Sequence, residues 1–130
     1  SVRMQIYGQL AGIYANTNQL QLAIENVDEV IAIAKKLSKT ASLANATYFK
    51  ASFNFVLGNN PTALEYYNQA LAYAEQLPHK GQIMNAILHG IGKLYETDRQ
   101  FEKAMEYYQK SLKISEQRKD SLSMSLDYNN

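Results

Sequence analysis

One short segment occurs three times in nearly the same spelling, and this repetition constrains the fold more than any other feature of the chain. The copies are AIENVDEVI at 23–31, ALEYYNQAL at 63–71 and AMEYYQKSL at 104–112, so they are spaced by 40 and then 41 residues. Each begins with alanine, an apolar residue and glutamate, and each has an apolar or bulky fifth residue. A regular period of this length is typical of repeat proteins, in which each unit buries its apolar face against its neighbour.

The chain around these segments has the pattern of helices. Apolar residues recur at i, i+3, i+4 and i+7, and no stretch alternates apolar with polar residues as a half-buried strand would. The two prolines, Pro61 and Pro78, and two of the six glycines, Gly58 and Gly81, lie where this pattern breaks. We therefore predict an all-α protein with helices over 2–17, 20–38, 42–57, 61–77, 80–97 and 101–119, and a final helix from 121 capped by Asp120 or Ser121.

The helix that precedes each repeated segment is also similar, and together the two helices carry a regular series of bulky, apolar, small and aromatic positions. In the third copy these are Leu88, Ile91, Gly92, Tyr95, Phe101, Ala104, Tyr108 and Ser111, and in the first they are Tyr7, Leu10, Ala11, Tyr14, Leu20, Ala23, Val27 and Val30. This spacing resembles the tetratricopeptide repeat, a helix–turn–helix unit. The resemblance implies an α-solenoid, in which antiparallel pairs of helices A and B stack into a right-handed superhelix.

The resemblance covers essentially the whole chain, which we expect to be a single domain over residues 1–130. It implies about three repeats, at 4–40, 44–80 and 85–119, with residues 121–130 as the start of a further helix A. No polar capping helix follows, so we expect the chain to be part of a longer protein. The usual repeat is about 34 residues long, and the longer period here is similar to that of bacterial sensor and regulatory proteins.

The second copy departs from the pattern, and two alignments of its helix A remain open. Without a gap, Ala51 takes the small position, but Lys50 and Asn54 fall where an apolar and an aromatic residue belong. A shift by one residue restores the pattern and shortens the loop between helices A and B. The turn at Leu57-Gly58 favours the alignment without a gap. The two alternatives bury different faces of helix 42–57.

Few residues offer chemistry. The two histidines, His79 and His89, are ten residues apart and there is no cysteine, so we expect no metal site. The GIG at 90–92 lacks the third glycine and the preceding strand of a dinucleotide site. We expect no catalytic residues and no cofactor.

The global properties of the chain also bound its partners. The formal net charge of +1 predicts no binding of nucleic acid. No apolar run is long enough to span a bilayer. We therefore expect a soluble chain whose compartment is open, with the cytoplasm favoured over the periplasm.

The resemblance implies that the chain binds rather than catalyses, because ligands of this family lie in the concave groove that the A helices line. We predict a protein- or peptide-binding module of a bacterial regulatory or scaffold protein. One alternative is a ligand- or peptide-sensing domain that controls an attached transcription-regulator or histidine-kinase output domain, and another is self-association through an exposed terminal repeat face. The predicted groove residues are Gln5, Gly8, Gln9, Gly12, Asn16, Asn45, Tyr48, Ser52, Phe55, Val56, His89, Lys93 and Glu96.

Overall fold

The computed structural model describes the backbone of residues 1–128 and the side chains of residues 1–118. Within that range every regular element is an α-helix, which confirms the all-α prediction. The helix ends predicted from the sequence differ from those observed by at most two residues, except at the C-terminal end of α6. The six helices of residues 1–128 are α1 (Val2–Asn16), α2 (Leu20–Lys36), α3 (Thr40–Val56), α4 (Asn60–Glu75), α5 (Gly81–Thr97) and α6 (Phe101–Tyr128).

The C-terminal end is one long helix where the sequence predicted two. Helix α6 continues past Asp120 and Ser121, so the prediction that one of them caps a separate helix is wrong. No glycine or proline occurs between residues 101 and 128, so the backbone contains no strong helix breaker there. Residues 129–130 of the predicted final helix lie outside the described residues.

The helices form two compact units, Ser1–Pro78 and His79–Asn130. In the first unit α1 packs on α2, α2 on α3 and α3 on α4, and in the second α5 packs on α6. Consecutive helices are therefore packed pairwise, as expected for a solenoid of helix pairs. We refer to α1–α2, α3–α4 and α5–α6 as the first, second and third copies of the repeat. The assignment of residues 1–130 to one domain stays a prediction.

Four connections along residues 1–128 are the same three-residue turn, centred on Asn18, Ser38, Gly58 and Arg99, which all have positive φ. At the third of them the Gly58 N–H donates to the Phe55 carbonyl at 3.0 Å, and the Asn59 N–H donates to the Asn54 carbonyl at 2.8 Å. This pair of hydrogen bonds is the Schellman motif, which satisfies the last carbonyls of a helix. The α4–α5 connection at 76–80 differs from these four turns: it is five residues long and has no residue with positive φ. It contains the boundary between the two units in the sequence.

The structure decides between the two alignments of the second copy. Thr47 and Asn54 are buried, whereas Tyr48 and Phe55 are only partly buried. The turn after α3 is three residues long, like the turns between helices A and B of the other copies. Both observations match the alignment without a gap. Asn54 is tolerated in an aromatic position because its amide is satisfied: Nδ2 donates to the Lys50 carbonyl at 2.8 Å, and Oδ1 accepts from Asn59 Nδ2 at 3.3 Å.

Small residues occupy the equivalent buried positions of all three copies. A side chain no larger than a methyl group lets two helix axes approach closely, so these positions fix where helices A and B cross. The buried small residues are Ala11 and Ala23 in the first copy, Ala51 and Ala63 in the second, and Gly92 and Ala104 in the third.

Candidate functional site

A groove of about 470 Å³ lies between α1 and α3 in the first unit, with α2 beneath it. Helix α1 contributes residues spaced by three and four along one face, and α3 does the same from the opposite side. Helix α2 contributes two valines between them. The lining residues are Met4, Gln5, Gly8, Ala11, Gly12, Ala15 and Asn16 of α1, Val27 and Val30 of α2, and Ser42, Asn45, Ala46, Phe49 and Phe53 of α3.

The groove exists because α1 presents very small residues to it. A Cβ atom built on Gly8 or on Gly12 would meet nothing within 4 Å, so both glycines border open space. Ala11, Val27 and Ala46 form a buried apolar cluster that closes the base of the groove. The backbone of α1 thus borders open space at two positions one helical turn apart, where a ligand could approach it closely.

Two phenylalanines form the wall on the α3 side. Phe49 is 49% exposed, and the centroid of its ring lies 6.1 Å from that of Phe53 with an interplanar angle of 28°. A half-exposed phenylalanine costs hydrophobic free energy, which burial against a ligand would recover. The wall therefore offers apolar area to a ligand.

The polar residues that line the groove carry no charge. Gln5, Asn16 and Asn45 have exposed side chains, and Ser42 is partly buried. Amide side chains both donate and accept hydrogen bonds, so they can pair with the peptide groups of an extended segment. The arrangement suits a neutral ligand with an apolar part.

The structure brings together part of the predicted site. Gln5, Asn16 and Asn45 line the groove, as do Gly8 and Gly12. Other predicted residues lie elsewhere in the first unit.

Three of those outside the groove are Gln9 of α1 and Phe55 and Val56 of α3. Gln9 and Val56 are exposed and Phe55 is partly buried, and none of the three lines the groove.

The structure places Tyr48 and Ser52 against α4. The Tyr48 ring centroid lies 6.0 Å from that of Tyr67, and the Ser52 hydroxyl lies 3.1 Å from the Tyr67 hydroxyl. Burial raises the pKa of the Tyr67 hydroxyl above its ordinary value, although the hydrogen bond with Ser52 acts in the opposite direction. These two side chains are used in packing the second copy, because the alignment without a gap turns them towards helix B.

The remaining predicted residues lie in the second unit, on α5. The His89 ring centroid lies 5.4 Å from that of Tyr108, and the Tyr108 hydroxyl donates to the Glu96 carboxylate at 2.9 Å. Burial, the hydrogen bond and the Glu96 charge together raise the pKa of Tyr108 to about 12. Lys93 is exposed on the same helix. His89 and Glu96 are thus brought together by a tyrosine of α6.

Comparison with known proteins agrees with the repeated helix pairs. A family model described as tetratricopeptide repeat matches residues 42–117, and a second model of the same description matches residues 5–37. The chain belongs to the tetratricopeptide repeat family. A search of curated proteins finds none that matches it. Tetratricopeptide repeats generally mediate protein–protein interaction and scaffolding and are generally non-catalytic.

Sequence reasoning missed the phenylalanines of this tetratricopeptide repeat groove. Phe49 and Phe53 lie four and eight residues after Asn45, on the same face of α3, so the helical period was the signal that could have found them. The groove positions that the family resemblance implies indicated Tyr48 and Phe55 instead. The rotation of α3 about its axis determines which of these neighbouring aromatic residues faces the groove. That rotation is set by the packing of α3 against other helices.

Among the described residues, the tetratricopeptide repeat helices contain no group of His, Asp or Glu side chains that could hold a metal ion. Within the same part of the chain, no helix combines the length and the apolar character needed to cross a bilayer.

Proposed function

We propose that this chain is a non-catalytic module that binds a segment of another protein in the groove between α1 and α3. The observation that carries the proposal is the groove itself, which joins an exposed apolar wall to neutral amide side chains. Its family supports a protein partner, because tetratricopeptide repeats generally bind proteins. The amides of Gln5, Asn16 and Asn45 would pair with the main chain of the segment, and Phe49 would cover one of its side chains.

Peptides selected from a displayed library of random short sequences provide a direct test. We expect titration of a selected peptide into the isotope-labelled chain to shift amide resonances of α1 and α3 that border the groove. Phe49→Ala should weaken binding, because it removes an exposed ring from the wall. Leu22→Ala is the matched control, since Leu22 is an exposed apolar residue of α2 outside the groove. Shifts confined to other surfaces, or equal effects of the two variants, would argue against the proposal.

A second candidate function is self-association through α6. Phe101, Met105 and Leu112 follow a helical spacing along one face and are 57%, 56% and 58% exposed. The residue equivalent to Met105 in the first copy is Ile24, which is only 7% exposed. An apolar stripe that is covered in one copy and open in another favours an interaction surface. Sedimentation across a range of concentrations should then show association that Met105→Lys abolishes; a monomer at every concentration would exclude it.

The sensing alternative is supported by the size of the groove. Its volume of about 470 Å³ is within the range of about 300–1,000 Å³ typical of small-molecule sites. In that case the ligand would control an output domain, such as a transcription regulator or a histidine kinase, in a bacterial regulatory protein. A screen of small neutral aromatic compounds by NMR would test it: saturable binding in the groove at micromolar concentration supports sensing, and its absence favours the protein segment.

A further inference from the structure

The second and third copies share an aromatic pair that the first copy lacks. In the second copy Tyr48 of helix A meets Tyr67 of helix B, with ring centroids 6.0 Å apart. In the third copy His89 and Tyr108 occupy the equivalent positions, 41 residues later, with ring centroids 5.4 Å apart. The same face of the helix pair therefore carries two packed rings in both copies.

The first copy has Gly8 and Val27 at these two positions, 40 residues before Tyr48 and Tyr67. Both residues line the groove, and a Cβ atom on Gly8 would meet nothing within 4 Å. The small residue beside the pair is retained, as Ala11 in the first copy and Ala51 in the second. Part of the groove is thus the space that the helix-A ring fills in the other two copies.

The surroundings of that space select the kind of side chain that can enter it. Val27 and the Phe49 ring provide apolar contacts, and every side chain that lines the groove is uncharged. A charged group entering here would lose hydration without gaining an opposite charge, which is unfavourable. An aromatic ring would instead gain the offset or edge contacts that such rings prefer, in addition to burying its area.

We propose that the groove binds a neutral partner segment by an aromatic side chain, which occupies beside Gly8 and Val27 the place of the missing helix-A ring. The inference rests on the proposed function and adds the chemistry of the anchor residue. The uncharged lining of the groove matches a neutral segment. The ring pairs of the second and third copies indicate that the anchor is aromatic. The amides of Gln5 and Asn45 then lie beside the main chain of the segment.

The test is a substitution in α1 that fills the space beside Gly8 and Val27 with an aromatic side chain. Gly8→Tyr restores the aromatic of the other copies, and it should fold with equal or greater stability, because the site is open and a helical glycine is replaced. Ile6→Tyr is the matched control, since it adds the same ring to an exposed position of α1 outside the groove. Denaturant unfolding of both variants verifies that they are folded.

The probes are peptides selected by the wild-type chain from a displayed library of random short sequences, together with versions whose aromatic residue is replaced by leucine. We expect the selected sequences to share an uncharged aromatic residue, and its replacement to weaken binding roughly two- to ten-fold. Gly8→Tyr should reduce binding at least about ten-fold, and Ile6→Tyr should leave it unchanged.

Four results would overturn the inference. If selected peptides bind in the groove without an aromatic residue, or if Gly8→Tyr binds them normally, the anchor is wrong while the proposed function stands. If no selected peptide shifts the resonances of the groove, the proposed function fails and the inference fails with it. If the wild-type chain dimerises in sedimentation and Gly8→Tyr does not, the occupant of the groove is a second copy.

Discussion

The ring of Tyr108 lies directly against the backbone of Gly92, so that a Cβ atom on Gly92 would come within 2.6 Å of Tyr108 Cε1. This contact couples a small residue of helix A to an aromatic residue of helix B in the third copy. It also holds Tyr108 where its hydroxyl reaches Glu96 and its ring meets His89.

Gly92→Ala should therefore destabilise the second unit. Overpacking of this kind costs about 1–3 kcal/mol, whereas the gain in helix propensity is about 1 kcal/mol, so we expect a net loss. Urea unfolding measures it. In a Tyr108→Ala background the same change should become stabilising, because the clashing ring is gone. Gly8→Ala, at a site with open space, should stabilise the protein both in the wild-type chain and in the Tyr108→Ala background.

Lys50 should contribute a pH-dependent part of the stability of the first unit. Its ammonium lies 2.6 Å from the Asp28 carboxylate and 4.4 Å from the centroid of the Tyr66 ring. Partial burial lowers the pKa of Lys50, but the hydrogen bonds with Asp28 and Tyr66 and the neighbouring charge raise it above its ordinary value overall. The contribution is therefore complete below the pKa of the unfolded lysine and is lost as the pH rises through the higher folded pKa.

Lys50→Met keeps the packing of the stem and removes the charge. We expect it to lower the free energy of unfolding by up to about 1 kcal/mol at neutral pH, because Asp28 is partly exposed. The difference from the wild type should shrink at strongly alkaline pH. Lys113→Met, at an exposed position of α6, should have little effect at either pH. A Lys50→Met deficit that persisted unchanged at alkaline pH would contradict the electrostatic explanation.

Tyr108 should ionise above its ordinary pKa of about 10. Burial, the hydrogen bond that it donates to Glu96 and the carboxylate charge raise its pKa to about 12. NMR of chain labelled in the tyrosine rings would follow each hydroxyl separately. Glu96→Gln should bring the pKa of Tyr108 down, because an anion no longer opposes ionisation. Glu102→Gln, another exposed carboxylate, should not change it.

The positive-φ positions of the turns should respond to exchange of glycine and serine. Gly58 has φ +86° and Ser38 has φ +54° in equivalent turns. A side chain in this region costs about 1–2 kcal/mol, so Gly58→Ser should lower the free energy of unfolding. Ser38→Gly should raise it by less, because glycine also increases the entropy of the unfolded chain. Thermal and urea unfolding would show opposite signs for the two variants.

The part of the fold that could be predicted is the part that depends on interactions between residues close together in the sequence. The helices and the copies were readable because apolar periodicity and turn residues act over short distances along the chain. The continuous α6 was missed because Asp120 and Ser121 are good capping residues that a helix also tolerates in its interior. Nothing in the local sequence states which of the two roles they take.

The repeat period, the all-α class and the small groove-facing residues Gly8 and Gly12 were therefore determined by the sequence alone. The rotation of α3 was decided only by the tertiary structure, since its helical surface offers aromatic residues in several directions. Packing against α2 and α4 buries Asn54, turns Tyr48 towards Tyr67 and leaves Phe49 exposed in the groove. A difference of one residue rotates a helix by about 100°, and only contacts between helices that are distant in sequence select one rotation.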